Sequence, residues 1–213
     1  MCEMKIENKK DILFIVNPIS GAGKQKLVEK EVAAYLNQHK FNYQFIYTER
    51  AHHAYDIAKD AVLAGIDIVA IVGGDGSVNE TAKALVNTTT RMAIIPTGSG
   101  NGLARELGIT CDVKKAILQI NTAEDFLMDT GLIGDHFFVG AAGFGFDAEL
   151  QEDSDVHRVD SGVDLGARYP QHQLDLHIDG QVVLLGVHLE AALQLHCREH
   201  AGALEQLAHG LAL

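Results

Sequence analysis

Three glycine-rich junctions constrain this chain more than any other feature: NPISGAGK (17–24), GGDGSVNE (73–80) and PTGSGNG (96–102). Each follows a short apolar run and precedes a stretch of helical period. The runs DILFIVNP (11–18), IDIVAIV (66–72) and MAIIP (92–96) read as buried strands, and FNYQFIY (41–47) alternates like a fourth. Between and after them, residues 24–38, 53–65, 77–87, 101–108 and 112–120 read as helices. In the first of these, Leu27, Val28, Val32, Tyr35 and Leu36 fall near one face. Gly65 and Gly108 are placed to end helices, Asp112 to cap one, and Ser77 to cap another with Glu80 in the capping-box position. Short, nearly all-apolar strands alternating with helices indicate an α/β fold. Its N-terminal part is a doubly wound, mainly parallel sheet with a ligand crevice where strands end and helices begin.

Composition narrows the class. A hydrophobic share of 47% and a charged share of 22% suit a globular chain. No apolar run approaches the roughly 18 residues that span a membrane, and MCEMKIENKK lacks the apolar core of a signal peptide. Three scattered cysteines, Cys2, Cys111 and Cys197, suggest neither a disulfide framework nor a zinc site, so a reducing cytoplasm is expected. The net charge of −12 argues against a nucleic-acid partner. Lys24, Lys26, Lys30 and Lys40 cluster around the first helix and read first as a solvated face, second as a meeting place for phosphate.

The junctions carry the chemistry. Backbone N–H groups in a glycine turn form an anion nest, and the following helix adds its dipole. Phosphate fits that setting. Asp75 does not fit as a phosphate ligand, because like charges repel; it fits a metal ion or a hydroxyl whose proton it accepts. A nest beside a carboxylate is what phosphoryl transfer requires. The bland alternative is a tight turn with Asp75 as its polar tip. NPISGAGK is not a Walker A loop, since Gln25 stands where Ser or Thr should follow the lysine, and the glycines of PTGSGNG are misplaced for a dinucleotide fingerprint. Three such loops at three strand ends of one sheet would converge on one crevice.

In this order and spacing, NPISGAGK, GGDGSVNE and PTGSGNGLAREL resemble the diacylglycerol kinase catalytic-domain superfamily, which includes bacterial lipid kinases, sphingosine kinases and ceramide kinases. The resemblance covers roughly residues 10–150. It implies ATP with Mg²⁺ in the crevice and a lipid hydroxyl, of diacylglycerol or a sphingoid base, as phosphate acceptor. Carried over by motif, Asn17, Pro18, Ile19, Ser20 and Gly21 would line the nucleotide site. Thr48 would contact ATP. Gly73, Gly74, Asp75, Gly76, Ser77, Val78 and Asn79 would bind phosphates, with Glu80 closing the loop. Gly98, Ser99 and Gly100 would complete the site, and Asp75 matches the catalytic-loop aspartate; metal ligands are not assigned. The resemblance further implies a cytoplasmic, peripherally membrane-associated enzyme, and a homodimer, as many relatives are.

Beyond residue 122 the alternation ends. The segment 125–150 reads as two strands joined around Gly134-Asp135, and 172–190 as a hairpin turning at Asp179-Gly180. The expected organisation is an ATP-binding domain at 1–122, an incomplete β-rich second domain at 123–190 and a helical tail at 191–213. All eleven lysines lie at or before Lys115, and seven of eleven histidines lie after residue 150. In this part the resemblance decays: the late Asp-Gly-Glu of bacterial relatives has no counterpart. Phe137, Phe138, Phe144 and Phe146 read as core before they read as a lipid groove. The H-x-x-E-H pattern at His196–His200 sits in the histidine-rich tail, where chance matches are expected. His52 and His53 read as surface residues or minor nucleotide neighbours. Two alternatives stay open: an NAD kinase-like enzyme, which shares GGDG, and a nucleotide-binding module without catalysis.

Overall fold

A computed structural model of the chain describes residues 9–20, 25–133, 135–140 and 176–186. Its elements run β1 (Lys10–Val16), α1 (Gln25–Tyr35), β2 (Phe41–Tyr47), α2 (His53–Leu63), β3 (Ile68–Gly73), α3 (Asp75–Leu85), β4 (Arg91–Pro96), α4 (Gly102–Glu106), α5 (Val113–Ile120), β5 (Glu124–Ile133), β6 (His136–Phe138) and β7 (Leu176–Gly186). The strands form one sheet in the order β2-β1-β3-β4-β7-β5-β6. The first four are parallel, and β5 pairs antiparallel with both β6 and β7.

Alternation along each strand sorts the core onto two faces. Ile12, Phe14 and Val16 pack with Val28 and Val32 of α1, with Leu36 just after it, and with Val113, Ile117 and Ile120 of α5. Leu13 and Ile15 point the other way, toward Ala54, Ile57 and Ala58 of α2 and Val78, Ala82 and Leu85 of α3. Successive strand side chains face opposite sides, and helices cover both, so every position must be apolar. That is why β1 and β3 read as unbroken hydrophobic runs. Phe14, Ile15, Val69 and Ile71 are completely buried, and each such side chain contributes about 1.5–3 kcal/mol.

The helix ends follow their residues. Gly65 (φ 74°) and Gly108 (φ 67°) take the left-handed conformation after α2 and α4. The Asp112 carboxylate accepts from Lys115 N–H at 3.0 Å and caps α5. Three expectations need correction. Leu27 and Tyr35 of α1 lie outside the core, and the Lys114 ammonium sits 4.2 Å above the Tyr35 ring. The third helix begins at Asp75, with Gly74 as its N-cap, so Ser77 lies inside the first turn and makes no capping box with Glu80. No hairpin turns at Asp179-Gly180: β7 runs straight through. Thr130 faces Gly180 and Gly131 faces Ile178, which leaves Asp179 as the extra residue of a β-bulge. β5 and β6 do pair antiparallel, with Ile133 facing His136, as the two-strand reading of this stretch expects. The helical tail, His196 to His200, Phe144 and Phe146 lie outside the described residues.

Candidate functional site

Strand order places the site. From β1 the chain moves outward to β2, then returns across β1 to β3, so the direction of winding reverses between β1 and β3. Open α/β sheets hold ligands at that switch point, beyond the carboxyl ends of the strands. The segments 17–20, 48–52, 73–77 and 97–101 all leave strand ends on this edge. The backbone N–H of Asn17 donates to Val72 O at 3.0 Å, and that of Thr48 to Val16 O at 2.9 Å, extending the sheet into the loops.

The glycines are there for close approach. A Cβ on Gly98 would stand 2.6 Å from the Gly74 Cα, so the second and third junctions touch backbone to backbone. A Cβ on Gly73 would meet the Ser77 Cβ at 2.8 Å, because the first turn of α3 folds back onto the end of β3. Neither Gly73 nor Gly74 has positive φ; Gly74 is extended, at φ −99° and ψ −173°. Space, not handedness, selects glycine at these positions. Among the described residues no side chain caps α3, an eleven-residue helix, so its N-terminus presents backbone N–H groups and partial positive charge at the switch point.

Around that terminus, each polar residue of Asp75-Gly-Ser-Val-Asn-Glu80 holds a different neighbour. Asp75 Oδ2 accepts from Asn101 N–H at 2.7 Å, tying in the loop after β4. Ser77 Oγ accepts from Asn17 Nδ2 at 2.9 Å, tying in the loop after β1. Asn79 donates to Phe137 O at 3.2 Å and accepts from Val139 N–H at 3.1 Å, holding the end of β6. Glu80 accepts from His52 N–H at 3.1 Å, holding the loop after β2. A further bond of 2.8 Å joins the hydroxyls of Ser20 and Thr97. The first two turns of α3 are a hub, on which the second and third junctions and the described start of the first, residues 17–20, converge.

Two hub partners carry left-handed backbone, His52 (φ 60°) and Asn101 (φ 54°). Each has its N–H held by a carboxylate of α3. Outside glycine this region is favoured mainly by Asn and Asp, so such residues mark over-determined places. Asn101 is buried, and its amide also donates to Gly98 O at 2.5 Å, folding the third junction on itself.

Of the residues singled out from sequence, Asn17, Ser20, Thr48, Gly73, Gly74, Asp75, Gly76, Ser77, Gly98 and Gly100 lie on or beside the switch-point edge. Pro18 lies with them, and Ile19, 91% exposed, juts from the same loop. Ser99 is exposed, and its carbonyl accepts from Arg105 at 3.4 Å. Val78 turns away: its side chain is in the core and its N–H is spent on Gly74 O at 3.0 Å. Gly21 lies outside the described residues. Thr97 and Asn101 are not among the site residues carried over by motif, although both stand in PTGSGNG; the sequence offers Asn101, like Ser99, as a side-chain donor or acceptor of that turn, and the hydroxyl of Thr97 is the signal left unread. Just before Thr48, the Tyr47 hydroxyl donates to the Glu29 carboxylate, and this bond, then partial burial and the negative charge, push its pKa up to about 12. Among the described residues no group of three or more His, Cys, Asp or Glu could hold a metal ion by itself. No described helix is long and apolar enough to cross a membrane.

Residues 11–133 match the family model of the diacylglycerol kinase catalytic domain. Over 146 residues the chain is 32% identical to the diacylglycerol kinase of Bacillus subtilis, a match covering 66% of this chain and 47% of that protein. It is 33% identical over 109 residues to the diacylglycerol kinase of Mycobacterium tuberculosis, covering 51% of this chain and 35% of the relative. The crystal structure of a diacylglycerol kinase from Bacillus anthracis is similar with a TM-score of 0.53 at 24% identity, over 61% of this chain and 48% of that one. That last likeness concerns the fold alone. The chain spans about half, or less, of the length of the relatives it matches.

Proposed function

The chain belongs to the diacylglycerol kinase catalytic domain family, and on that premise we propose that its switch-point cleft holds ATP for transfer of the γ-phosphate to a lipid hydroxyl. The observation that carries this reading is the hub: two glycine junctions and the Asn17–Ser20 start of a third, drawn together around the N-terminus of α3. Phosphate oxygens need bare backbone N–H groups at close range, and glycine backbones packed without Cβ atoms supply them. The residues therefore fit a nucleotide. They also fit Mg²⁺, which is held through one or two carboxylates together with phosphate oxygens rather than by a protein cage.

In this reading Asn17, Ser20 and Thr48 line the nucleotide side of the cleft. The α3 terminus and the Gly73–Ser77 and Gly98–Gly100 backbones take the phosphates. Mg²⁺, when bound, offsets the charge on the phosphate oxygens. Asp75 uses Oδ2 to hold the loop at Asn101, which leaves Oδ1 for the metal or for the proton of the lipid hydroxyl. Residues 1–122 form the nucleotide half, 123–190 begin the lipid half, and 191–213 form a tail. The lipid is diacylglycerol or a sphingoid-type alcohol, met at a membrane surface from the cytoplasm by a homodimer.

The test is ATP-dependent phosphate transfer to a panel of lipids in mixed micelles with Mg²⁺, with NAD as a lipid-free control. Transfer to one lipid, reduced at least a hundredfold by Asp75→Asn with ATP binding retained, is expected. Phosphorylation of NAD alone would replace the reading with an NAD kinase. ATP binding without any transfer would favour a nucleotide-binding module without catalysis.

A further inference from the structure

The Asn79 side chain has both of its polar ends committed. Its amide nitrogen donates to Phe137 O at 3.2 Å, and its oxygen accepts from Val139 N–H at 3.1 Å. The two partners flank Phe138, the last residue of β6. Together the bonds make a two-point clasp between the second turn of α3 and the exit of β6, some 60 residues away in the chain. Two-point recognition of one backbone segment fixes its position and its direction at once. An asparagine so engaged has little capacity left for a phosphate.

What the clasp holds is well placed. Phe137 is buried in the core cluster beneath α3, and Val139 packs against the same cluster. Next comes Gly140 (φ 92°), where a Cβ would come within 3.6 Å of Leu103 in α4, the helix that follows the third glycine junction. The chain leaving β6 therefore passes between the helix that carries Asp75 and the helix that carries the Gly98–Asn101 loop. A second clasp marks the far end of the same helix. Asn87, left-handed at φ 57°, donates its N–H to Gln181 O at 2.9 Å and accepts from Gln181 N–H at 3.3 Å, gripping β7. α3 is thus fastened at one end to β6 and beyond the other to β7, while its N-terminus faces the cleft.

We infer that Asn79 is a positioning residue, not a nucleotide ligand: it sets the Phe137–Val139 segment against α3 and so fixes where the acceptor half of the site stands relative to the phosphates. The inference rests on the kinase reading for its second clause only; the clasp itself is independent of it.

Hydrogen exchange at single-amide resolution, on the full chain, tests the clasp. In Asn79→Ala the Val139 amide exchanges about five- to tenfold faster than in wild type, the change expected for loss of one net hydrogen bond. Asn79→Asp keeps an acceptor for Val139 N–H and retains its protection. ATP binding by titration stays within about threefold in both variants. In the transfer assay Asn79→Ala raises the KM for lipid about tenfold and leaves that for ATP unchanged, and Asn79→Asp, which keeps the Val139 point but loses the donor to Phe137 O, recovers only part of the loss. A tenfold or greater loss of ATP affinity with Val139 exchange unaltered would overturn the inference and make Asn79 a nucleotide ligand. A wild type that transfers no phosphate counts against the kinase reading, and the exchange comparison still decides the clasp.

Discussion

Gly98 shows how much of the site depends on an atom that is not there. Its backbone lies against Gly74, and a methyl group would have to sit 2.6 Å from the Gly74 Cα, with the Asn101 amide oxygen 3.0 Å away on another side. Neither neighbour is the loose end of a long side chain. To admit a Cβ the loop 97–101 must move, and with it the Asn101 N–H that Asp75 holds. Gly98→Ala is therefore expected to destabilise the chain by about 1–3 kcal/mol, as overpacking does, and to weaken ATP binding at least tenfold. Gly65→Ala is the control. Gly65 has φ 74°, and a methyl group there would meet nothing within 4 Å, so the change costs about 1–2 kcal/mol of backbone strain and leaves ATP binding as it was. Thermal melts with ATP titrations separate the two: similar losses of stability, but loss of affinity in Gly98→Ala alone. Equal ATP affinity in the two variants would remove the glycine contact from the site.

Between elements, the bonds that matter join residues far apart in sequence, and this decides what could be read in advance. The parallel strands and their helices were legible because burial on both faces forces unbroken apolar runs, as in Ile12–Val16 and Ile68–Val72. The start of α3 was not. Ser77 looks like a cap, but its hydroxyl is taken by Asn17 and the helix opens two residues earlier at Asp75. Its partner Asn17 lies in another loop, beyond any local pattern. Asp179-Gly180 misled for a related reason: the pair has turn chemistry, yet the long partner β5 keeps β7 extended and absorbs Asp179 as a bulge. The convergence of the three junctions was legible, since it follows from strand order, whereas the roles of Thr97 and Asn101 were not, since they depend on which loops meet. A contact between β2 and α1 gives a prediction at this scale. The Tyr47 hydroxyl donates to Glu29, and its pKa stands near 12 against an ordinary 10. The folded state thus holds this proton more tightly than the unfolded state. The stabilisation is complete below pH 10 and disappears as pH rises through 12. It is modest, because Tyr47 is 38% exposed and solvent screens the pair. Absorbance titration should show one phenol ionising near pH 12 that is missing in Tyr47→Phe, and the variant's stability should fall less steeply between pH 10 and 12. A wild type whose five tyrosines all titrate near pH 10 would refute this.

Across the whole molecule, the antiparallel strands are not an appendage to the parallel ones. β7, late in the chain, inserts between β4 and β5, so the sheet passes from parallel to antiparallel through it. The ladder at this join is thin, with Met92 facing Leu184 as the one paired position between β4 and β7 among the described residues. Side chains make up the difference. Val182 and Leu184 are buried in the cluster that also contains Leu13, Ile15, Val69 and Ile71 of the parallel strands, and Met128 and Phe137 of β5 and β6. Arg91 of β4 donates to Asp125 of β5 across β7 at 2.7 Å, and the Asn79 and Asn87 clasps tie α3 to β6 and β7. One continuous apolar cluster spanning both sets of strands should unfold as one unit. Leu184→Ala leaves a cavity at the join and is expected to cost about 2–5 kcal/mol. Its loss should be felt by the nucleotide end as much as by the strands that Leu184 belongs to. Urea unfolding followed by far-ultraviolet circular dichroism, which sees the helices of the parallel half, and by hydrogen exchange at Met128 and Phe137 should give coincident midpoints in wild type, both shifted together in the variant. An early transition at Met128 and Phe137, with the helical signal keeping its wild-type midpoint, would mean that the two sets of strands fold separately. The cleft would then owe its geometry to the parallel half alone.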